Sequence, residues 1–334
     1  MRLRLAVVPP SVRRLFSQLA SLSSRQLLFI LFLLLFLSTF WLGRLSVQLA
    51  ELDNDAMGGI GERRTEPCIE QLAKTPSLST YLMVLIMTGP DQWELRRTIR
   101  QTWLRLARLG QLNAEQTEHG DLALLHNLTD SYEQLSRKTL LSIGFAVDSV
   151  QFSFLLKADG DSFVRLGALL HALRSVAHPF LYWGFLDGRA RPQRAVGGKW
   201  REEQWRLCDR YLPYQLGGGY VLSHALASFL HLNRERLKLY HNEDVAVGAW
   251  LAGLKVRYVH DPRFDTEYRS RGCNNEYLIT HKKSPDEMRR LFTNLATNGI
   301  LCLPSEYQLR PSYVYDFSRP PSECCTRRNG SRIP

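Results

Sequence analysis

The chain has 334 residues, 45% of them hydrophobic, and a formal net charge of +11 at pH 7. This length allows one large domain or two ordinary ones, and the hydrophobic fraction excludes a chain that is disordered throughout. The positive charge does not indicate nucleic acid binding, because no basic run is interleaved with aromatic residues.

The N-terminal region predicts a membrane anchor. Five arginines lie within the first 25 residues, and residues 26–43 then contain no charged side chain. A helix of that length spans about 27 Å, close to the ~30 Å hydrocarbon core of a bilayer, and the basic flank keeps the N-terminus cytosolic. A cleaved signal peptide is the alternative, although no clear small-x-small cleavage motif follows the run. We therefore predict a cytosolic tail (1–25), a transmembrane signal anchor (26–43), a lumenal stem (44–76) and a folded lumenal domain (77–334).

Sequons and cysteines agree with a lumenal location. Asn127 and Asn329 each begin an Asn-x-Ser/Thr triplet, the acceptor motif of N-glycosylation. The chain has six cysteines, an even number that suits an oxidising compartment. Their spacing does not match a zinc site, and the sequence does not choose among their pairings.

Strands and helices alternate along the first half of the lumenal domain. The apolar patterns predict, in chain order, strand 81–87, helix 91–107, strand 121–126, helix 130–147 and strand 151–159. Asp130 is the predicted N-cap of the second helix. This alternation favours an α/β fold with a mostly parallel sheet.

Two carboxylates follow the third predicted strand. Asp159 and Asp161 flank Gly160 at the carboxyl end of that strand, where ligands bind in such sheets. Residues i and i+2 of an extended segment point the same way, so both can face one ligand. Carboxylate oxygens suit Mg²⁺ or Mn²⁺ with a diphosphate, whereas the alternative is an exposed turn with two solvated aspartates.

A second acidic pair, Glu243 and Asp244, opens an apolar helix, where carboxylates can simply cap free amides. Glycines 217–219 precede a β-leaning run and suit a loop that a ligand approaches closely. The glycines are not part of a P-loop or a G-x-G-x-x-G fingerprint. Aromatic residues nearby could fill the core or stack on sugar rings: Tyr182, Trp183, Trp200, Trp205, Tyr211, Tyr214 and Tyr220.

Together these stretches resemble the beta-1,3-glycosyltransferase family from about Tyr81 to the C-terminus. The chain has counterparts of the family's R-x-x-I-R-x-T-W helix, its D-S-Y segment, its Y-P-x-Y and G-x-G-Y-V-L-S loop and its E-D-V helix. It also matches the K-x-D-D-D-x-F motif, except that Gly160 replaces the central aspartate. The residues that match the R-x-x-I-R-x-T-W helix, the D-S-Y segment and the K-x-D-D-D-x-F motif are Arg96, Ile99, Arg100, Thr102, Trp103, Asp130, Ser131, Tyr132, Leu135, Lys138, Lys157, Asp159, Asp161 and Phe163.

The resemblance implies a GT-A fold, in which a Rossmann-type mixed sheet is flanked by helices, in the catalytic domain of a type II Golgi membrane protein. It also implies a UDP-sugar donor and Mn²⁺ as cofactor. Stretches such as YWGF and LRPSYVYDFSRPPSECC resemble the branch of the family that builds the glycosaminoglycan linker. That branch implies inverting transfer of galactose from UDP-galactose to Gal-beta-1,4-Xyl on a proteoglycan core protein.

The resemblance also implies residue roles. Asp244 is the expected catalytic base, and Glu243 orients the acceptor or caps its helix. Asp161, His281 and Asp159 are the expected metal site, with His260 as the competing histidine. The expected nucleotide-sugar contacts are Arg96, Arg100, Asp130, Lys138, Lys157 and Asp159, and the expected loop around donor and acceptor contains Trp183, Tyr214, Gly218 and Gly219.

Three other functions stay open at the level of sequence. One is transfer of N-acetylglucosamine within the same family. Another is a lumenal relative that only binds glycans, because Gly160 departs from the metal motif. The third is a glycoside hydrolase, which would use paired carboxylates without a nucleotide or a metal.

Overall fold

The structure is a computed structural model, and it describes residues 78–104, 121–123, 125 and 128–327. The predicted anchor and stem, Cys68 and the two sequon asparagines, Asn127 and Asn329, lie outside these residues. Within the described ranges, no helix is long and apolar enough to cross a membrane.

Strands and helices alternate through the described part. The strands are β1 (Leu78–Met87), β2 (Val150–Asp159), β3 (Phe163–Val164), β4 (Leu181–Gly184), β5 (Leu186–Asp187), β6 (Tyr214–Gln215), β7 (Gly219–Ser223), β8 (Arg257–His260), β9 (Phe264–Asp265), β10 (Gly272–Cys273), β11 (Ile279–Thr280), β12 (Gln308–Leu309), β13 (Tyr313–Tyr315) and β14 (Cys325–Arg327). The helices are α1 (Trp93–Gln101), α2 (Leu135–Ser149), α3 (Leu166–Val176), α4 (His224–Asn233), α5 (Glu243–Leu251) and α6 (Pro285–Asn298), with 3₁₀ turns at Tyr132–Gln134 and Pro321–Glu323.

A five-stranded sheet with the order β1-β2-β7-β4-β8 forms the centre of the domain. β1 runs parallel to β2, and β4 runs parallel to β8, whereas β7 is antiparallel to both of its neighbours. The sheet is therefore mixed, as the family resemblance implies, and not mostly parallel as the alternation alone predicts. The predictions of strands at 81–87 and 151–159 are confirmed by β1 and β2.

Helices cover both faces of this sheet. The core on one face includes side chains of α1, α3 and α6, and the core on the other includes side chains of α2, α4 and α5. Leu155 and Leu156 show the division, because these adjacent residues of β2 belong to opposite cores. The layered α/β arrangement agrees with the predicted fold class.

Two local predictions are wrong. The described residues 121–123 and 125 are not in a strand, and the Asp121 carboxylate instead accepts hydrogen bonds from Arg100. Asp130 is not an N-cap, because the helix begins at Leu135 after a 3₁₀ turn and the Asp130 carboxylate accepts from Lys138 Nζ. The first helix also ends earlier than predicted, at Gln101.

The connections bring distant segments to one rim of the sheet. β7 is antiparallel to β2, so the glycines that lead into β7 lie beside the carboxyl end of β2, where Gly219 pairs with Ala158. β1 ends at the same place, because Met87 pairs with Asp159. A small sheet of β3, β11 and β9 adds the segment around Thr280 to this rim.

Two disulfides lie in the C-terminal part of the described residues. Cys273 is bonded to Cys302, and the adjacent Cys324 and Cys325 are bonded to each other. Cys208 is exposed and is not disulfide-bonded. Four of the six cysteines are thus paired among the described residues, which fits an oxidising compartment.

Gly248 should be intolerant of a side chain, because α5 packs closely on Pro213 and on Tyr214 of β6. A Cβ at Gly248 would lie 2.5 Å from Tyr214 Cβ and 2.8 Å from the Pro213 carbonyl oxygen. We expect Gly248→Ala to lower the free energy of unfolding by about 1–3 kcal/mol, measured by urea denaturation. Gly253→Ala is the matched control, since nothing lies within 4 Å of a Cβ there. Equal stability of the two variants would contradict the close packing of α5.

Candidate active site

The Lys157 ammonium lies at the centre of the rim. Nζ is 2.6 Å from Asp159 Oδ1, 2.8 Å from the Gly217 carbonyl oxygen and 3.1 Å from Glu243 Oε2. Burial opposes the charged form, but the carboxylates of Asp159 and Glu243 outweigh it, and the pKa of Lys157 lies above its ordinary value. A charged lysine thus connects the end of β2, the glycine loop and the start of α5.

Glu243 has a structural environment. Its Oε1 accepts a hydrogen bond of 2.5 Å from the Tyr220 hydroxyl, and its Oε2 accepts from Lys157. The residue is 7% exposed. Both oxygens are therefore engaged from within the protein, and the carboxylate holds Lys157 and β7 in place at the start of α5.

Asp159, Asp161 and His281 form a cluster that could hold a metal ion, because one ligand atom from each lies within 4.8 Å of the others. Asp161 lies two residues before β3, and His281 immediately follows β11. These two strands pair in antiparallel register, with Phe163 opposite Thr280. Two carboxylates and one imidazole are a donor set that suits a divalent ion such as Mn²⁺.

Hydrogen bonding selects the tautomer of His281. The Ser162 hydroxyl donates its one proton to the Gly218 carbonyl at 2.5 Å, so its oxygen accepts from His281 Nδ1 at 2.9 Å. The Nε2 lone pair then faces Asp159 Oδ2 at 3.9 Å. Burial lowers the pKa of His281, so the imidazole is neutral, as metal ligation requires.

His260, the competing histidine, is not in this cluster. Its Nδ1 accepts from the Leu186 amide and its Nε2 lies 3.2 Å from the Tyr313 carbonyl oxygen. The ring stacks on Tyr313 with an interplanar angle of 9°, and burial lowers the pKa of His260 to about 4. Both ring nitrogens are used by the protein, which favours His281 as the ligand.

Asp244 is not a member of the metal cluster, and its carboxylate is held by backbone amides. Oδ2 accepts from the Gly217 amide at 3.0 Å and Oδ1 accepts from the Val245 amide at 2.9 Å. Burial, followed by the neighbouring Glu243 charge, raises the pKa of Asp244 to about 7. A carboxylate whose pKa is close to neutral pH is well suited to accept a proton.

The expected nucleotide contacts gather around the turn after β1. Arg96 donates to the Gly89 carbonyl at 2.5 Å and to the Thr88 hydroxyl at 3.2 Å. Lys138 Nζ donates to the Thr88 carbonyl at 2.6 Å and to Asp130 at 2.5 Å. These side chains brace the turn next to Asp159, whereas Arg100 pairs with Asp121 outside it.

Side chains pack closely against the glycine loop. A Cβ at Gly218 would lie 2.6 Å from His281 Cγ, and a Cβ at Gly219 would lie 2.9 Å from Ile279 Cδ1. Tyr214, just before the loop, is buried. Protein side chains therefore approach this loop closely, and the predicted close approach of a ligand stays a prediction.

Trp183 lies in the core and not at the rim. It is fully buried, and its indole Nε1 donates to Asp261 at 3.0 Å. Sequence reasoning missed Ser162, which orients His281, and it named Tyr220 only as an aromatic residue of the core or of a sugar site and not as the partner of Glu243. Their only signal was position, since one follows Asp161 directly and the other follows the triple glycine.

Comparison with known proteins gives consistent matches. The profile of the galactosyltransferase family matches residues 108–262. Beta-1,3-galactosyltransferase 6 of Mus musculus is 47% identical over 283 residues, which cover 77% of this chain and 86% of the mouse protein.

More distant relatives match over part of their length. Hydroxyproline O-galactosyltransferase GALT5 of Arabidopsis thaliana is 34% identical over 67% of this chain and 37% of the plant protein. UDP-GalNAc:beta-1,3-N-acetylgalactosaminyltransferase 2 of Danio rerio is 30% identical over 57% of this chain and 38% of the fish protein. These two proteins are much longer than the segments that they share with this chain.

A side chain at Gly218 should disturb the metal cluster. The Cβ of Gly218→Ala would displace the His281 imidazole, so we expect the affinity for Mn²⁺ to fall by about tenfold or more. Isothermal titration of the purified protein with Mn²⁺ measures this. Gly167→Ala is the control, because a Cβ there has no neighbour within 4 Å. Unchanged Mn²⁺ affinity in Gly218→Ala would remove His281 from the site.

Asp244 also predicts a pH dependence of stability. Its folded-state pKa of about 7 lies above the ordinary value of 3.8, so the native state binds more protons between these values and becomes less stable as pH rises through them. Asp244→Asn lacks this titration. Relative to wild type, its free energy of unfolding should rise by roughly 2–4 kcal/mol between about pH 4 and pH 8.

Urea denaturation at several pH values checks the expectation. Asp209→Asn replaces an exposed aspartate and should follow the wild-type pH dependence. A stability difference between Asp244→Asn and wild type that does not change with pH would show that Asp244 titrates normally.

Proposed function

Because the chain belongs to the beta-1,3-galactosyltransferase family, we propose that it transfers galactose from UDP-galactose, with inversion, to Gal-beta-1,4-Xyl on a proteoglycan core protein. This reaction extends the glycosaminoglycan linker. The observation that carries the proposal is the rim itself, where the cluster of Asp159, Asp161 and His281 and the high-pKa Asp244 meet at one glycine loop. Membership of this family excludes a glycoside hydrolase.

Asp159, Asp161 and His281 would hold Mn²⁺. When bound, the ion would neutralise charge on the UDP diphosphate as it leaves the sugar. Burial opposes ionisation of Asp159, but the Lys157 ammonium outweighs it and lowers the pKa of Asp159, which keeps this carboxylate ionised for the role. Lys157 also remains charged beside Glu243, so the binding site keeps its shape without a ligand.

Asp244 is the proposed general base. It takes the proton of the acceptor hydroxyl while that oxygen forms a bond to the anomeric carbon of galactose. The bond from the anomeric carbon to the diphosphate oxygen breaks on the opposite face of the sugar, and its electron pair leaves with UDP. The Gly217 and Val245 amides fix the direction of the carboxylate, while Glu243 positions Lys157.

The turn after β1 is the proposed nucleotide side of the site. Arg96, Asp130 and Lys138 brace this turn, and its polar groups lie beside Asp159. Arg100 pairs with Asp121 outside the turn, and its contact with the nucleotide stays a prediction. Binding of UDP here would put the diphosphate next to the metal cluster, with the galactose directed toward Asp244.

The proposed location is the Golgi membrane. The uncharged run 26–43 and the basic residues before it support a type II anchor with the catalytic domain in the lumen. The two disulfides among the described residues are consistent with an oxidising lumen.

We expect Asp244→Asn to reduce galactose transfer by about 10²–10⁴-fold, because the general base is lost. UDP affinity should stay within about threefold of wild type, since Asp244 is not a member of the metal cluster or of the turn after β1. Transfer is measured with UDP-galactose and a Gal-beta-1,4-xyloside, and UDP affinity by isothermal titration. Asp209→Asn is the control for an exposed aspartate. Transfer close to the wild-type rate in Asp244→Asn would assign the base elsewhere.

Gly160 should tolerate aspartate. Its φ is not positive, so an L side chain fits the backbone there. A Cβ there would lie 3.6 Å from Thr88 Cγ2 and 3.3 Å from the Met87 carbonyl oxygen, a tight contact that a small shift at the end of β1 would relieve. We expect Gly160→Asp to change turnover and the Mn²⁺ requirement by no more than about threefold, because Asp159 and Asp161 already supply the carboxylates. An inactive wild type that Gly160→Asp activates would instead identify a glycan-binding relative.

A further inference from the structure

Trp200 differs from the other aromatic residues of its region. Of the seven that the sequence places between the two acidic sites, Trp200 is 46% exposed, whereas none of the other six exceeds 7%. The six buried rings therefore belong to the core and cannot contact a sugar. A large indole left in water has no comparable packing role.

Trp200 is held next to the proposed base. Its carbonyl oxygen accepts a hydrogen bond of 3.2 Å from Asn242 Nδ2, and Asn242 is the residue directly before Glu243 and Asp244 at the start of α5. The Tyr132 hydroxyl donates to the same Asn242 at 3.1 Å. The backbone of the Trp200 loop is thus fixed to the base side of the site, and the indole itself is free to contact a ligand.

A second exposed ring, Tyr268, is held on the metal side. Tyr268 is 49% exposed and lies in a loop closed by Asp265, whose carboxylate accepts from the Arg271 amide at 2.7 Å. The Asp265 carbonyl accepts from the His281 amide at 3.0 Å. The loop that carries Tyr268 is therefore attached to the segment that supplies the metal-site histidine.

The two rings are in contact with each other. Their centroids are 6.2 Å apart and their planes make an angle of 69°, an edge-to-face pair. One ring comes from the segment next to Asp244 and the other from the segment next to His281. The pair therefore connects the two sides of the catalytic rim on its solvent-facing surface.

We propose that Trp200 and Tyr268 form an acceptor-binding surface on which the apolar C–H face of a pyranose ring of the acceptor glycan stacks. The proposal rests on the proposed function and extends it to recognition of the acceptor. The donor side is accounted for by the metal cluster and the turn after β1. The acceptor hydroxyl must reach Asp244, which lies two residues after Asn242, the residue that binds the Trp200 carbonyl. Flat apolar rings with exposed faces suit the C–H faces of sugars.

The two rings should contribute unequally. The Arg269 guanidinium lies 5.8 Å from the centroid of the Tyr268 ring and covers part of that ring. Trp200 has the larger ring and no such cation beside it among the described contacts. Trp200 is therefore the main stacking surface, and Tyr268 orients it and extends it.

The test compares Trp200→Ala, Trp200→Phe and Tyr268→Ala with two exposed controls, Trp93→Ala and Tyr307→Ala. The controls match in exposure, at 57% for Trp93 and 50% for Tyr307. For each full-length variant, the acceptor KM and kcat are measured with a Gal-beta-1,4-xyloside. Hydrolysis of UDP-galactose without acceptor and saturation-transfer NMR binding of the disaccharide are measured in parallel.

We expect Trp200→Ala to raise the acceptor KM by about tenfold and Tyr268→Ala by about threefold. Hydrolysis of UDP-galactose and kcat should stay within about twofold, and Trp200→Phe should restore most of the affinity because it restores a flat ring. Both controls should match wild type. The NMR signal of the disaccharide should weaken in Trp200→Ala even when no donor is present.

An acceptor KM for Trp200→Ala equal to that of Trp93→Ala would overturn the proposal. A parallel loss of UDP-galactose hydrolysis would overturn it too, since the loop would then serve the donor. If wild type neither hydrolyses UDP-galactose nor transfers galactose, the proposed function fails instead. In that case disaccharide binding that depends on Trp200 would still support the aromatic surface, and absence of such binding would refute it.

Discussion

The buried ammonium of Lys157 is the interaction on which the site depends. Two carboxylates from distant segments, Asp159 and Glu243, approach each other at the rim, and Glu243 is buried there, where an unpaired negative charge would be costly. The lysine lies between them and also binds the Gly217 carbonyl. Removal of its charge would take away the cation that Asp159 and Glu243 share, together with one of the hydrogen bonds that hold the glycine loop. The geometry of the metal side and the base side therefore has a common origin.

The backbone of Gly217 connects the metal side of the site to the base side. Its carbonyl accepts from Lys157, and its amide donates to Asp244. The next residue, Gly218, leaves room for His281 and accepts from the Ser162 hydroxyl that sets the histidine tautomer. Side chains larger than hydrogen would separate these groups, which explains why three glycines occur together here.

The sequence predicted the parts of the fold that have long apolar runs. β1 and β2 were predicted because each run is too long and too apolar for a loop. The segment 121–126 has a similarly apolar sequence, but its described residues are not in a strand and Asp121 pairs with Arg100 instead. The carboxylates after β2 were predictable from their position at a strand end. His281 was not predictable from spacing, because it reaches Asp161 only through the pairing of β3 with β11. Exposure also could not be predicted, so Trp183 and Trp200 looked equivalent until the fold separated them.

Backbone strain next to His281 fits this picture of a site built from long-range contacts. Lys282 has a φ of 60°, and it is the non-glycine residue with positive φ among those described. That conformation costs on the order of 1 kcal/mol for an L-residue with a long side chain. It is offset by hydrogen bonds on either side, from the His281 amide to Asp265 and from the Lys283 amide to Asp161. Glycine would relieve the strain, but it would lose the Lys282 ammonium that lies 3.2 Å from Asp161 Oδ2. The turn at Lys282 therefore places the His281 imidazole and the Lys282 ammonium beside the Asp161 carboxylate. These two contacts hold Asp161 in position before any metal is bound.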